Sequence, residues 1–344
     1  MIPLPIAVCA VFLEEVPQGD WLERAVGWLV GLLHPAPDSF FYYQFNVFGL
    51  LAVILVSLIC GAVGALVVGN RMAFFSDALA HSAFAGVSIA FLSALFFNLL
   101  DRGDFFDWAT PIMVMFGVLV GLGIAYVQDR TTLASDTVIG VFFAGAMGFG
   151  AMLLQGISKL GRYFNPENFL FGSVLTVRSI DLEMLFLLAL LTAGVLAVLH
   201  NQLLLTTFNP SLARSRRVRA RLCSYLFIAL LAVIINVCLR TVGVLLINAL
   251  LIVPAATACN LCRNLRQMFW VTVGLSLAVG VSGHVLAHEL RVRLSDGRQL
   301  TFGSGGTIIV LSVVLFFLSL AVMGRRRART KPRRQPPCES AVSS

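Results

Sequence analysis

Charge is scarce in this sequence. Lys, Arg, Asp and Glu make up 12% of its 344 residues, against 58% apolar, about half the charged share of a soluble globular domain. That scarcity excludes a water-soluble enzyme or nucleic-acid-binding domain, and the apolar excess excludes a disordered chain. Cysteine is sparse too: Cys9, Cys60, Cys223, Cys238, Cys259, Cys262 and Cys338 form no paired framework, so a disulfide-stapled scaffold is excluded and most read as reduced, small lipid- or helix-facing residues. Several catalytic motifs are absent. No Walker A stretch binds ATP, no GxSxG elbow presents a serine, and His288-Glu289 begins an HExxH motif that fails because position 292 is Val. Strand-period alternation long enough for a barrel is missing as well.

What is present is a succession of apolar runs. A span needs about 20 mostly apolar residues, and nine stretches meet or approach that: 47–69, 78–98, 109–127, 137–156, 182–205, 222–240, 241–262, 269–289 and 306–323. The expectation is an all-α polytopic membrane protein, a bundle of about 8–9 transmembrane helices. Residues 1–46 hold only short apolar pieces broken by Glu14, Glu15, Pro17, Pro35 and Pro37. They read as an extramembrane or interfacial lead-in, with no positive region ahead of the apolar part to make a cleaved signal. Residues 47–323 form the transmembrane domain, and 324–344 form a basic, Pro-containing tail expected to be solvated and disordered.

The net charge of +8 points to orientation in a bilayer. Alternating spans place sixteen Lys and Arg on the side of Arg214, Arg216, Arg217, Arg219, Arg221 and the tail, and eight on the other, with Arg240 at a boundary. That bias predicts a cytoplasmic C-terminus and an external N-terminus. Arg291, Arg293 and Arg298, between the last two spans, oppose it. Glycines recur inside spans at 61, 64, 117, 121, 145, 148 and 150, as in helices whose backbones approach closely.

Few residues carry chemistry. Asp77 and His81 are four apart, so a helix puts both on one face, where oxygen and imidazole can meet one cation. Ionisable groups within a span are costly unless paired, hydrated or coordinating. The pair is either a metal or ion path, or a helix-capping Asp with a hydrogen-bonded His. His284 and His288 repeat the spacing, with Glu289 adjacent. Two such helices would offer four N and O donors suited to Zn²⁺, Mn²⁺ or Fe²⁺, although His288 and Glu289 also read as solvated interfacial residues. Cys259 and Cys262 form half a zinc or redox motif with no second half. The stretch from Phe208 to Arg219 is either a plain positive-inside loop or a docking element for a cytoplasmic partner, with Pro210 placed to start a short helix.

Taken in order, several segments resemble the permease subunits of zinc/manganese/iron ABC importers: Arg71-Met72 through Asp77-Ala-Leu-Ala-His81 and Gly86; Ser135-Asp136-Thr-Val-Ile-Gly140; Phe169-Leu-Phe-Gly-Ser173; Phe208-Asn-Pro-Ser-Leu-Ala213; Val242 through Thr257; and Gly303 through Val310. The resemblance implies a fold similar to cobalamin-importer-type ABC permeases. It also implies a homodimer or paired permease in the bacterial plasma membrane, a separate cytoplasmic ABC ATPase and an extracytoplasmic metal-binding protein. Within it Asp77 and His81 match the metal pathway, and Phe208, Asn209, Pro210, Ser211, Leu212 and Ala213 match the approach to the ATPase, while His284 is a further candidate ligand from its spacing alone. The chain is then a transport subunit, not an enzyme. It has no permanent cofactor and no nucleic-acid partner, and its cargo is a divalent ion. An ATP-independent transporter or channel is the rival, and an intramembrane metalloenzyme a third reading, disfavoured by the failed HExxH. The pattern departs from the family at 284–302, which reads as an insertion.

Overall fold

The computed structural model describes Gly27, Phe40 and residues 43–70, 72–96, 105–159, 177–208, 220–262, 264–293, 299–301 and 303–330. Its helices are α1 (Gln44–Gly69), α2 (Ala73–Phe96), α3 (Phe105–Arg130), α4 (Ser135–Ser158), α5 (Ser179–Phe208), α6 (Ala220–Val242), α7 (Val244–Leu261), α8 (Leu265–Glu289) and α9 (Ser304–Thr330). Among the described residues these nine are long and apolar enough to cross a membrane, and each falls on one of the expected apolar runs, although α7 starts three residues later than the expected 241, because 241 and 242 end α6. The chain is a multi-pass membrane protein whose candidate spans are all helical.

The helices sort by burial and partners. α2 lies between α3 and α4, while α1, α7, α8 and α9 form a second group, and α5 and α6 join the two. Most of α1, α2, α6 and α7 is buried, whereas α4, α5 and α9 turn most of their surface outward. The outward residues are apolar (Phe186, Leu187, Phe317, Leu318), as a lipid-facing surface requires.

Small residues set how closely the helices pack. A Cβ on Gly86 of α2 would fall 2.9 Å from Met113 Cα, one on Gly61 of α1 2.9 Å from Val273 Cα, and one on Gly150 of α4 2.9 Å from the Ala85 nitrogen. Gly64 is tighter, its missing Cβ pointing into the Leu251 carbonyl of α7. Because lipid supplies no hydrophobic drive between helices, such contacts carry the association. Gly145 and Gly148 face open space instead, so spacing alone does not mark which glycines pack. Gly64→Val should push α1 from α7 and lower the thermal stability of the purified protein, while Gly145→Ala should not. Equal melting temperatures for the two variants would contradict the packing.

Two breaks shape the second group. Gly243 alone links α6 to α7, at φ 81°, a conformation that a β-carbon disfavours. It sends the chain from the neighbours of α6 to those of α7. Pro254 inside α7 has no N–H for the Leu250 carbonyl four residues back. Ser276 Oγ of α8 points its donor at that oxygen from 3.5 Å, a side-chain replacement of the kind that lets Pro persist in spans.

A buried ion pair joins three helices of the bundle. Arg240, near the end of α6, holds Asp181 at the start of α5 (Nε to Oδ1 3.0 Å) and donates to Thr110 Oγ1 of α3 (3.0 Å). The two side chains are 6% and 7% exposed, and Asp181 Oδ2 also accepts the Arg178 amide (3.1 Å). Arg240 thus braces three helices.

The ends differ from the sequence expectations in two places. α9 runs beyond Met323 to Thr330, so the first part of the expected basic tail is helical, since Arg and Ala extend a helix readily once it has begun. The stretch after α8 forms an antiparallel pair, β1 (Arg291–Arg293) and β2 (Gln299–Thr301), in register Val292 to Leu300. Residues 331–344 and most of 1–46 lie outside the described residues, as do 209–213 and 169–173.

Candidate metal pathway at the start of α2

The loop closing α1 positions the site. Asn70 ends α1 by donating both its backbone N–H and its side-chain Nδ2 to the Leu66 carbonyl (2.9 Å each), and Met72 N–H returns to Val67 (3.0 Å). α2 then starts at Ala73 and places Asp77 about 6 Å along its axis.

His81 lies one turn further on. Its Nδ1 is 2.9 Å from the Asp77 main-chain carbonyl and 3.3 Å from Asp77 Oδ1. A main-chain carbonyl only accepts, so Nδ1 carries the proton and Nε2 of the neutral ring keeps the lone pair. Asp77 Oδ1 also accepts a 2.8 Å bond from Nδ2 of Asn248, in the second turn of α7. Three residues from two helices therefore meet on one carboxylate. Asp77 is 43% exposed and His81 18%.

Beside them is a cavity of about 290 Å³, lined by Phe74, Asp77 and Ala78 of α2 and by Asp136, Ile139, Gly140 and Phe143 of α4. Gly140 leaves its wall open, with nothing within 4 Å of where a Cβ would stand. Asp136 occupies the first turn of α4, where the helix dipole favours an anion. Phe143 lines the cavity and also packs edge-on against the His81 ring (centroids 5.1 Å). The chamber offers the carboxylates of Asp77 and Asp136 to a cation in a wall otherwise apolar, with the His81 ring bonded to Asp77 beside it.

His284 and His288 sit elsewhere. His284, 2% exposed, packs edge-on with Phe40 (5.5 Å), as does His288 (5.3 Å). Asn46 of α1 donates to the Phe40 carbonyl (3.1 Å), which places the histidine pair against the beginning of α1. Glu289 is exposed, its Oε1 3.8 Å from His288 Nδ1. Among the described residues no three of His, Cys, Asp and Glu converge on a common metal position. The four-donor cluster considered from the sequence is therefore not assembled, because α8 packs chiefly on α1, α7 and α9 while α2 packs on α3 and α4.

The cysteines are free thiols among the described residues. Cys259 Sγ contacts Met268 Sδ (3.4 Å), and loss of hydration pushes the Cys262 thiol, at the end of α7, above its ordinary pKa. Neither belongs to a group of three potential metal ligands among the described residues. Phe208 is the last residue of α5, and 209–213 fall outside the described residues.

Asn248 and Asp136 are site residues that the sequence reading does not single out. Asn248 carries a visible signal: it is the one polar side chain in the first three turns of α7. Asp136 has only its place four residues before Gly140.

Known proteins resemble the chain over most of its length. It is 29% identical to the manganese import system permease protein ScaB of Streptococcus parasanguinis over 290 residues, 84% of this chain and 95% of that protein. It is 26% identical to the probable iron transport system membrane protein of Haemophilus influenzae, covering 81% and 94%. The solved structure of PsaBC from Streptococcus pneumoniae in complex with Fab superposes with a TM-score of 0.64 at 25% identity, covering 83% of this chain and 94% of that one. The ABC 3 transport family profile matches residues 42–323, the whole helical bundle from before α1 into α9, and the chain belongs to that family as a permease of ABC metal importers.

Proposed function

We propose that this chain forms the membrane path of an ATP-driven importer of divalent transition-metal ions, with Asp77 and His81 as the groups that hold the ion in transit. The carrying observation is the half-exposed Asp77, joined by His81 and Asn248 beside a cavity that a second carboxylate also lines. Ionisable groups in spans are costly unless paired, hydrated or coordinating, and one that opens on a cavity is by default an ion-path candidate. The relatives' manganese and iron support Mn²⁺ or Fe²⁺ as cargo, and zinc remains within the donor chemistry of Asp and His.

In this reading the cation arrives from an external metal-binding protein and passes between two permease copies. Carboxylate and imidazole replace part of its hydration without holding it irreversibly, and closure of a cytoplasmic ATPase moves the helices so that it leaves inward. The C-terminus lies on the cytoplasmic side, and the Phe208 to Ala213 stretch meets the ATPase. His284, with His288 and Glu289, is assigned to a separate contact near the start of α1. Residues 47–323 act as the permease unit, with 1–46 and 324–344 as its flanks.

The test is purification from native membranes. A stable complex with a P-loop ATPase, and metal uptake by reconstituted vesicles that requires ATP, are the expected results. Uptake by the chain alone, driven by a proton gradient without nucleotide, would establish the ATP-independent transporter instead.

A further inference from the structure

The Asn248 amide has two ends in different situations. A carboxylate only accepts, so the end facing Asp77 is Nδ2, and it donates to Oδ1 at 2.8 Å. The other end, Oδ1, is shielded from solvent and has no hydrogen-bond partner. Native proteins rarely leave a buried amide oxygen so, and each case calls for an explanation. The surrounding turns of α7 are Val, Leu, Ile and Ala, so nothing local supplies a donor. Nitrogen and oxygen hang from the same carbon, which keeps the orphaned oxygen within reach of anything bound to the Asp77 carboxylate.

From this we infer that Asn248 is a third metal-facing residue, whose carboxamide oxygen joins Asp77 and His81 on the cation and biases the site toward Mn²⁺ and Fe²⁺ over Zn²⁺. The inference rests on the metal-path reading of Asp77. Without an ion, the amide N–H groups face the carboxylate and partly offset its charge. A divalent cation on Asp77 reverses that preference, since it repels the amide hydrogens and attracts the oxygen. Half a turn about the terminal side-chain bond exchanges the two ends without moving α7. The loaded site then presents two oxygens and one imidazole nitrogen. Carboxylate and carbonyl oxygen suit Mn²⁺, whereas Zn²⁺ draws its affinity more from imidazole and thiolate.

The experiment measures uptake of radioactive Mn²⁺ and Zn²⁺, separately, in cells whose own copy is deleted and replaced by the full-length variant. Asn248→Leu keeps the bulk and removes both amide ends. It should lower Mn²⁺ uptake about tenfold or more while Zn²⁺ uptake changes less than about twofold. Asn248→Asp keeps an oxygen and should preserve the Mn²⁺ over Zn²⁺ preference even if total uptake changes; this variant decides alone if Asn248→Leu fails to reach the membrane. Equal loss of both metals in Asn248→Leu, no loss of Mn²⁺, or a preference lost in Asn248→Asp overturns the inference. Asp77→Asn, run beside them, separates the two levels. If it is inactive while Asn248→Leu is unselective, only the role of Asn248 falls. Normal uptake by Asp77→Asn removes the metal path and this inference together.

Discussion

Cells carrying Asp77→Asn should take up manganese or iron at roughly a hundredth of the wild-type rate or less, and His81→Ala should approach the same loss. Asn keeps the shape of Asp77 and removes its charge, so the cation meets an amide where it would have met a carboxylate. The Asn248 amide, which now donates to Asp77 Oδ1, still finds an oxygen to face, and α2 and α7 should stay docked. The loss therefore belongs to the ion, not the fold. Membrane abundance and ATPase association measured on the same cells should be unchanged. His81→Ala removes the only imidazole bonded to this carboxylate among the described residues. Uptake near wild type in both variants would remove these residues from the path.

The second large effect concerns stability. Arg240→Leu leaves Asp181 as an uncompensated carboxylate in a site where both side chains are nearly covered. Breaking a buried ion pair from one side costs about 3–5 kcal/mol, whereas replacing both partners by apolar groups is often close to neutral. Arg240→Leu or Asp181→Leu alone should thus lower the apparent melting temperature of the detergent-purified protein markedly. The double variant should recover most of the loss. A double variant as unstable as the two losses added would mean that the charges brace α3, α5 and α6 independently of each other. The thermal readout separates this pair from Asp77, whose exposed carboxylate should contribute little to melting.

Local properties are legible in the amino-acid sequence, and contacts between helices are not. Apolar runs locate the nine helices because a span's length and composition are local, and the helices mostly exceed the runs by only a few residues at either end. The Asp77 and His81 pair is legible for a similar reason, since two residues one turn apart share a face whatever surrounds them. Asn248 is not, because it comes to Asp77 across 171 positions of sequence, and periodicity within one helix carries no record of which helix stands opposite. The same limit makes two histidine-bearing pairs look like one site. His284 and His288 repeat the spacing of Asp77 and His81, yet α8 is held among α1, α7 and α9, and Phe40, from a segment whose composition suggests a bare lead-in, fills the space beside them. The extension of α9 is hidden by composition, because a run of arginines looks alike whether coiled or free.

Gly243 couples these parts mechanically. A joint of one residue leaves no slack between α6, which is anchored through Arg240 to α5 and α3, and α7, which carries Asn248 five positions later. Were one set of helices to tilt against the other, a one-residue tether would pass the movement to the first turn of α7. The Asn248 amide would travel with it, so a tilt of α6 would be passed to the grip on the Asp77 carboxylate.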